Sequence, residues 1–118
     1  MEITELIFRD VLVHMKDALT RSTNILNDFV KLISRHHSII VKAPTKKISR
    51  TLIMHYHRIR CIAVNIKACV DQTRLSSNSA EIALGVEKCV ISAAIAEGIS
   101  FRMYKSFHHL KRSLDLPA

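Results

Sequence analysis

The chain has 118 residues, a formal charge of +8, and only two glycines and two prolines. That length holds one domain with its own core, 1–118, and excludes two. An apolar fraction of 48% excludes a disordered chain, and so little turn chemistry excludes a fold of many short strands. The expectation is an all-α, antiparallel bundle of three long helices that self-associates.

The first helix is predicted over residues 3–36. Phe8, Val11, Leu12, Met15, Ala18, Leu19, Ser22, Ile25, Leu26, Phe29, Leu32, Ile33 and His36 recur at steps of three and four, with no Gly or Pro among them. At 1.5 Å per residue such a helix is about 50 Å long. Residues 36–44 (HHSIIVKAP) are the first connection, with Ile39, Ile40 and Val41 expected to fold over the bundle end. Pro44 disfavours helix at Ala43, and Thr45 is the predicted N-cap of the next element.

The second helix carries a seam of alternating four- and three-residue steps: Ile48, Leu52, His55, Ile59, Ile62, Ile66, Cys69 and Thr73. Tyr56, Ala63 and Val70 widen it. Residues 75–78 (LSSN) form a short turn, and Asn78 with Glu81 has the spacing of a capping box. The third helix continues through Ile82, Val86, Cys89, Ala93, Ala96, Ser100, Met103, Phe107, Leu110 and Leu114, with Pro117 as its latest end. Glycine inside a helix costs about 1 kcal/mol relative to alanine. A break at Gly98 would therefore give four helices in place of three.

Charge is concentrated in one segment. Residues 36–74 hold eight Lys or Arg and one acid, whereas 1–35 are neutral and 75–118 carry +1. With the seam buried, Lys46, Arg60, Lys67 and Arg74 fall on one outward line, and Arg50 and His57 on another, with Lys47 between the lines and Arg58 nearby. Only Asp71 offers a counter-charge within the helix. A one-sided row of bases about 40 Å long can track phosphates without reading bases. Tyr56 is the one aromatic near it, so contact with the nucleic-acid backbone is expected over base recognition. The helix shows no bulky apolar outer face of the kind that inserts into lipid.

Between Ile82 and Ile99 the third helix is apolar nearly all round, and a helix apolar on every side must be covered on every side. Leu84, Ile91 and Ile95, opposite the seam, are the predicted interface with a second subunit. The alternative cover is the 37–44 segment.

Two hexapeptides, RTLIMH (Arg50 to His55) and RDVLVH (Arg9 to His14), resemble the Arg-to-His signature of HEPN-type helical ribonucleases and toxins. RDVLVH is similar to that family's RNxxxH variant, with Asp10 in place of Asn. The resemblance implies Arg and His acting on a phosphodiester. That family places its motif on a late helix, whereas here one copy opens the chain and the other puts His55 on the buried seam, as a core histidine. IAEG (Ile95 to Gly98) resembles a tetrapeptide of the basic four-helix-bundle proteins associated with ribosomal-RNA intervening sequences, which is compatible with the same fold.

Cys61, Cys69 and Cys89 form no CxxC pair and are expected as free thiols in a reducing compartment. His57 with Cys61, and the pairs His36–His37 and His108–His109, lack the spacing of a structural zinc site. No phosphate loop or cofactor fingerprint is present, so neither cofactor nor metal is expected. Acids near the first residue and the lack of an apolar run of about 20 residues point to an intracellular chain without a membrane span. The expectation is a non-enzymatic accessory protein that binds RNA or DNA through Lys46, Lys47, Arg50, Arg58, Arg60, Lys67 and Arg74. The alternative is an adaptor that docks an acidic protein partner.

Overall fold

The computed structural model describes residues 3–35 and 43–113. Three helices make up nearly all of it: α1 (Ile3–Arg35), α2 (Ala43–Leu75) and α3 (Ser79–Ser113). Every helix packs against the other two, and the whole measures 58 × 20 × 18 Å. No strand occurs among the described residues, and no helix there is long and apolar enough to cross a membrane.

The heptad-like steps of the sequence become one continuous core. Phe8, Val11, Met15, Ala18, Ile25 and Phe29 of α1 are buried, and Leu12, Leu19 and Leu26 pack beside them. From α2 come Leu52, Ile59, Ile66 and Val70, and from α3 Cys89, Ala93, Ala96, Met103, Phe107 and Leu110. Burial of each large apolar side chain contributes roughly 1.5–3 kcal/mol. Two α3 residues outside the predicted stripe, Gly85 and Ile99, are buried as well.

Specific contacts fix how the helices lie along one another. Glu5 meets Arg74 near the start of α1 and the end of α2. The Cys69 thiol donates to the Gly85 carbonyl at 3.6 Å, and the would-be Cβ of Gly85 lies against Thr73. Further along, Phe29 sets its ring edge-on to Phe107, with centroids 6.1 Å apart.

Two local expectations are corrected. The third helix runs unbroken through Gly98, which is exposed, so the four-helix alternative falls. A single interior glycine costs too little to end a helix held by packing over 35 residues. Thr45 is not an N-cap, because α2 already begins at Ala43. Proline is tolerated in a first helical turn, where its missing N–H would have had no partner.

At the 76–78 turn Asn78 does cap α3, its Oδ1 accepting from the N–H groups of Ala80 and Glu81 at 2.9 and 3.1 Å. The return bond of the box is absent. The Asn78 N–H donates to Ser76 Oγ, whose own hydroxyl donates to Glu81. The predicted placements of His36, the 37–44 cover, Leu114 and Pro117 lie wholly or mostly outside the described residues.

Candidate nucleic-acid interface

Lys46, Lys47, Arg50, Arg58, Arg60, Lys67 and Arg74 all stand exposed on α2. They do not form a one-sided stripe. Arg58 lines a cleft against α3 together with Ile91, Ile95, Gly98 and Arg102, whereas Arg74 reaches α1. The seven bases thus wrap both flanks of the helix. Nor is Asp71 the only counter-charge. Arg74 donates from Nε and a terminal nitrogen to the two oxygens of Glu5, each at 3.0 Å, and stands over the Phe8 ring. That bidentate bond raises the Arg74 pKa further and commits the guanidinium to the α1–α2 contact. Arg60 leans over Tyr56, which is half-buried.

Charge gathers at one end of the molecule, an arrangement that becomes visible only when the three helices are laid side by side. The half containing Phe29, Arg58 and Phe107 comprises residues 20–35, 43–59 and 96–113. It holds eleven bases: Arg21, Lys31 and Arg35 from α1, Lys46, Lys47, Arg50 and Arg58 from α2, and Arg102, Lys105, Lys111 and Arg112 from α3. Against them stand two acids, Asp28 and Glu97, and Glu97 is held by His14 at 2.7 Å. Among the described residues the opposite half holds six bases and six acids. The surplus therefore belongs to one end, where charges from three helices superpose their fields.

That end also carries aromatic rings in the open. Phe101 and Tyr104 are 57% and 54% exposed, Lys105 sits 4.8 Å over the Phe101 ring, and Tyr104 stacks on His108 with planes 6° apart. Tyr56 stays beside the α2 base Arg60, as expected, and α3 adds two exposed rings, Phe101 and Tyr104. Their signal in the sequence is position: both lie between the seam residues Ser100, Met103 and Phe107, on a flank that a two-sided helix would cover. On α2, Ile53, Met54 and Val64 are exposed as well.

The two Arg-to-His pairs are not joined by any hydrogen bond or ion pair among the described residues. His14 has both ring nitrogens facing carboxylates, Nδ1 toward Glu97 at 2.7 Å and Nε2 toward Asp10 at 3.5 Å, which ties α1 to α3. His55 is half-buried on the seam, and its Nδ1 is buried without a partner. Desolvation first, then the nearby Arg58 and Arg102, lower its pKa, so the ring is held neutral. An imidazole in that setting serves as core.

His57 and Cys61 approach to 3.8 Å one turn apart, and no third ligand joins them among the described residues. Burial, and then the Cys69 thiol beside it, push the Cys89 pKa up to about 12, which leaves it a small apolar group. Leu84, Ile91 and Ile95 are exposed on α3, along the flank that borders α2. Comparison of the chain with protein-family models, curated proteins and solved structures finds no match in any of the three.

Proposed function

We propose that the protein is a non-enzymatic accessory factor that binds the phosphate backbone of nucleic acid through the basic half of an antiparallel, up-down-up bundle. The observation that carries this reading is the eleven-to-two excess of bases over acids in that half. Lys46, Lys47, Arg50 and Arg58 remain its centre on α2, joined by the bases of α1 and α3. Arg74 contributes little, because Glu5 already satisfies it. Arg60 and Lys67 lie in the balanced half and act as its margin.

The same molecule self-associates through Leu84, Ile91 and Ile95, which would otherwise leave a row of large apolar groups in water. The rival reading, an adaptor for an acidic protein segment, is favoured by one observation. Arg58 and Arg102 flank the cleft that exposes Ile91 and Ile95.

Titration of a labelled duplex across a salt series tests the main reading. Each phosphate neutralised contributes about −0.9 to the log–log slope. The variant Lys46→Glu/Lys47→Glu/Arg50→Glu should flatten that slope by about 0.9 for each phosphate no longer neutralised. Binding that is indifferent to salt, or a slope unchanged in the variant, overturns it. Mass measured by light scattering with and without the duplex separates self-association from complex formation.

A further inference from the structure

We infer that the groove between α1 and α3 on the basic half is a stacking site for unpaired nucleobases, so that the preferred ligand is a single strand. This rests on the backbone-binding reading above and names its substrate class. The groove is lined by Arg21, Asn24, Phe101 and Tyr104, with Ser100 and Ile25 beneath.

A buried aromatic needs no further explanation, but Phe101 and Tyr104 leave more than half of their surface in water at the most basic part of the molecule. Each ring has one face engaged: Phe101 by the Lys105 ammonium at 4.8 Å, Tyr104 by the His108 ring at 5.8 Å. That engagement orients the rings, and more than half of each residue's surface stays open to an incoming base. Residues three apart on a helix are neighbours, about 5–6 Å between Cβ atoms, so two successive bases can be received.

Across the groove Arg21 offers a planar, weakly hydrated cation to the intervening phosphate, and Asn24 offers both a donor and an acceptor to a base edge. Glu97 is the one acid among the groove's lining residues, and its carboxylate lies 2.7 Å from His14 Nδ1 on α1. Aromatic platforms beside a basic track are the means by which proteins hold single strands without reading their sequence. A duplex keeps its bases stacked on one another and has no use for the rings. An acidic peptide would use Arg21 and leave Tyr104 idle.

The test compares three probes on the full chain: a single-stranded DNA, a single-stranded RNA and a duplex DNA of equal length. The single strands should bind more tightly. Stacking is worth about 1–3 kcal/mol per base, so Phe101→Ala and Tyr104→Ala should each weaken single-strand binding by about 5- to 150-fold. Both should leave duplex affinity and the salt slope unchanged, and Tyr104→Phe should bind as the parent does. The sequence has no tryptophan and two tyrosines, Tyr56 and Tyr104. In a Tyr56→Phe background the remaining tyrosine emission therefore reports on Tyr104, and it should be quenched by single strands and not by duplex.

Because both ring positions are exposed, the alanine variants fold, as their melting curves will show. If single strands and duplex bind alike and the alanine variants change nothing, the stacking site is refuted while backbone binding stands. Equal weakening of all three probes refutes it as well. If none of the probes binds in a salt-dependent way, the backbone reading itself fails.

Discussion

Gly85 and Gly98 lie in the same helix, thirteen residues apart, yet replacing each by alanine should change stability in opposite directions. The intrinsic helix preference is identical at both sites and favours alanine by about 1 kcal/mol. A Cβ at Gly98 meets nothing within 4 Å, so Gly98→Ala should gain most of that amount. A Cβ at Gly85 would fall against the Thr73 side chain, 2.8 Å from Cγ2 and 3.0 Å from Cβ, and closer still to Oγ1. Thr73 cannot easily turn away, because its hydroxyl donates to the Cys69 carbonyl at 2.7 Å in a buried contact. Overpacking of this kind costs about 1–3 kcal/mol, which set against the helix gain of about 1 kcal/mol leaves Gly85→Ala destabilised by up to about 2 kcal/mol. Urea denaturation at one low chain concentration would measure both variants, and Thr73→Ala combined with Gly85→Ala should recover part of the loss. Stabilisation by alanine at both glycines would refute the claim that Gly85 packs directly on the Thr73 side chain.

Two further predictions concern pH. Cys89 keeps its proton in the folded state up to about pH 12, whereas an unfolded thiol loses it near 8.5–9. Stability should therefore be unaffected below pH 8.5 and fall as the pH rises above it, and Cys89→Ala should flatten that alkaline limb in melting experiments. The same burial predicts that a thiol reagent labels exposed Cys61 in the native protein and reaches Cys89 only on unfolding. His55 behaves in the opposite sense. Its lowered pKa means that the unfolded chain takes up a proton first as the pH drops below 6.5, so stability should decline with acidification. His55→Leu should remove that decline and relieve an unpartnered ring nitrogen. Lastly, Arg74→Ala should leave the salt dependence of duplex binding intact, whereas Arg50→Ala should reduce its slope by about 0.9. Equal effects would refute the claim that Glu5 withholds Arg74.

Most of the fold was legible in the sequence because a long helix writes its buried face at every third or fourth residue. Twelve such positions in α1 and nine in α3 carry an uninterrupted pattern, and each one is buried or half-buried. What could not be read was contact between elements. Gly85 carries no side chain to enter a hydrophobic pattern, and its burial follows from Thr73 on another helix. Thr45 has the chemistry of an N-cap, but the start of α2 at Ala43 moves it inside the helix. Gly98 is ambiguous on paper, since a glycine costs the same in an unbroken helix whether it is exposed or covered.

The candidate interface was legible in its ingredients and illegible in its arrangement, for a related reason. Charge can be counted along the chain, and that count singles out α2. The field acting on a ligand, however, is summed in space over distances of about a Debye length, roughly 8 Å at physiological salt. Folding brings the first part of α2 beside the later part of α3, and it sets Arg74 against Glu5, a residue 69 positions away. The result strips one base from the apparent stripe and adds seven from α1 and α3 to its other end. The same folding sets Phe101 and Tyr104 in one groove with Arg21 of α1, which is 80 positions from Phe101 in sequence. A basic helix seen alone predicts affinity for any phosphate backbone. The folded end pairs charge with open aromatic faces, and that pairing makes the choice between a single strand and a duplex the decisive measurement.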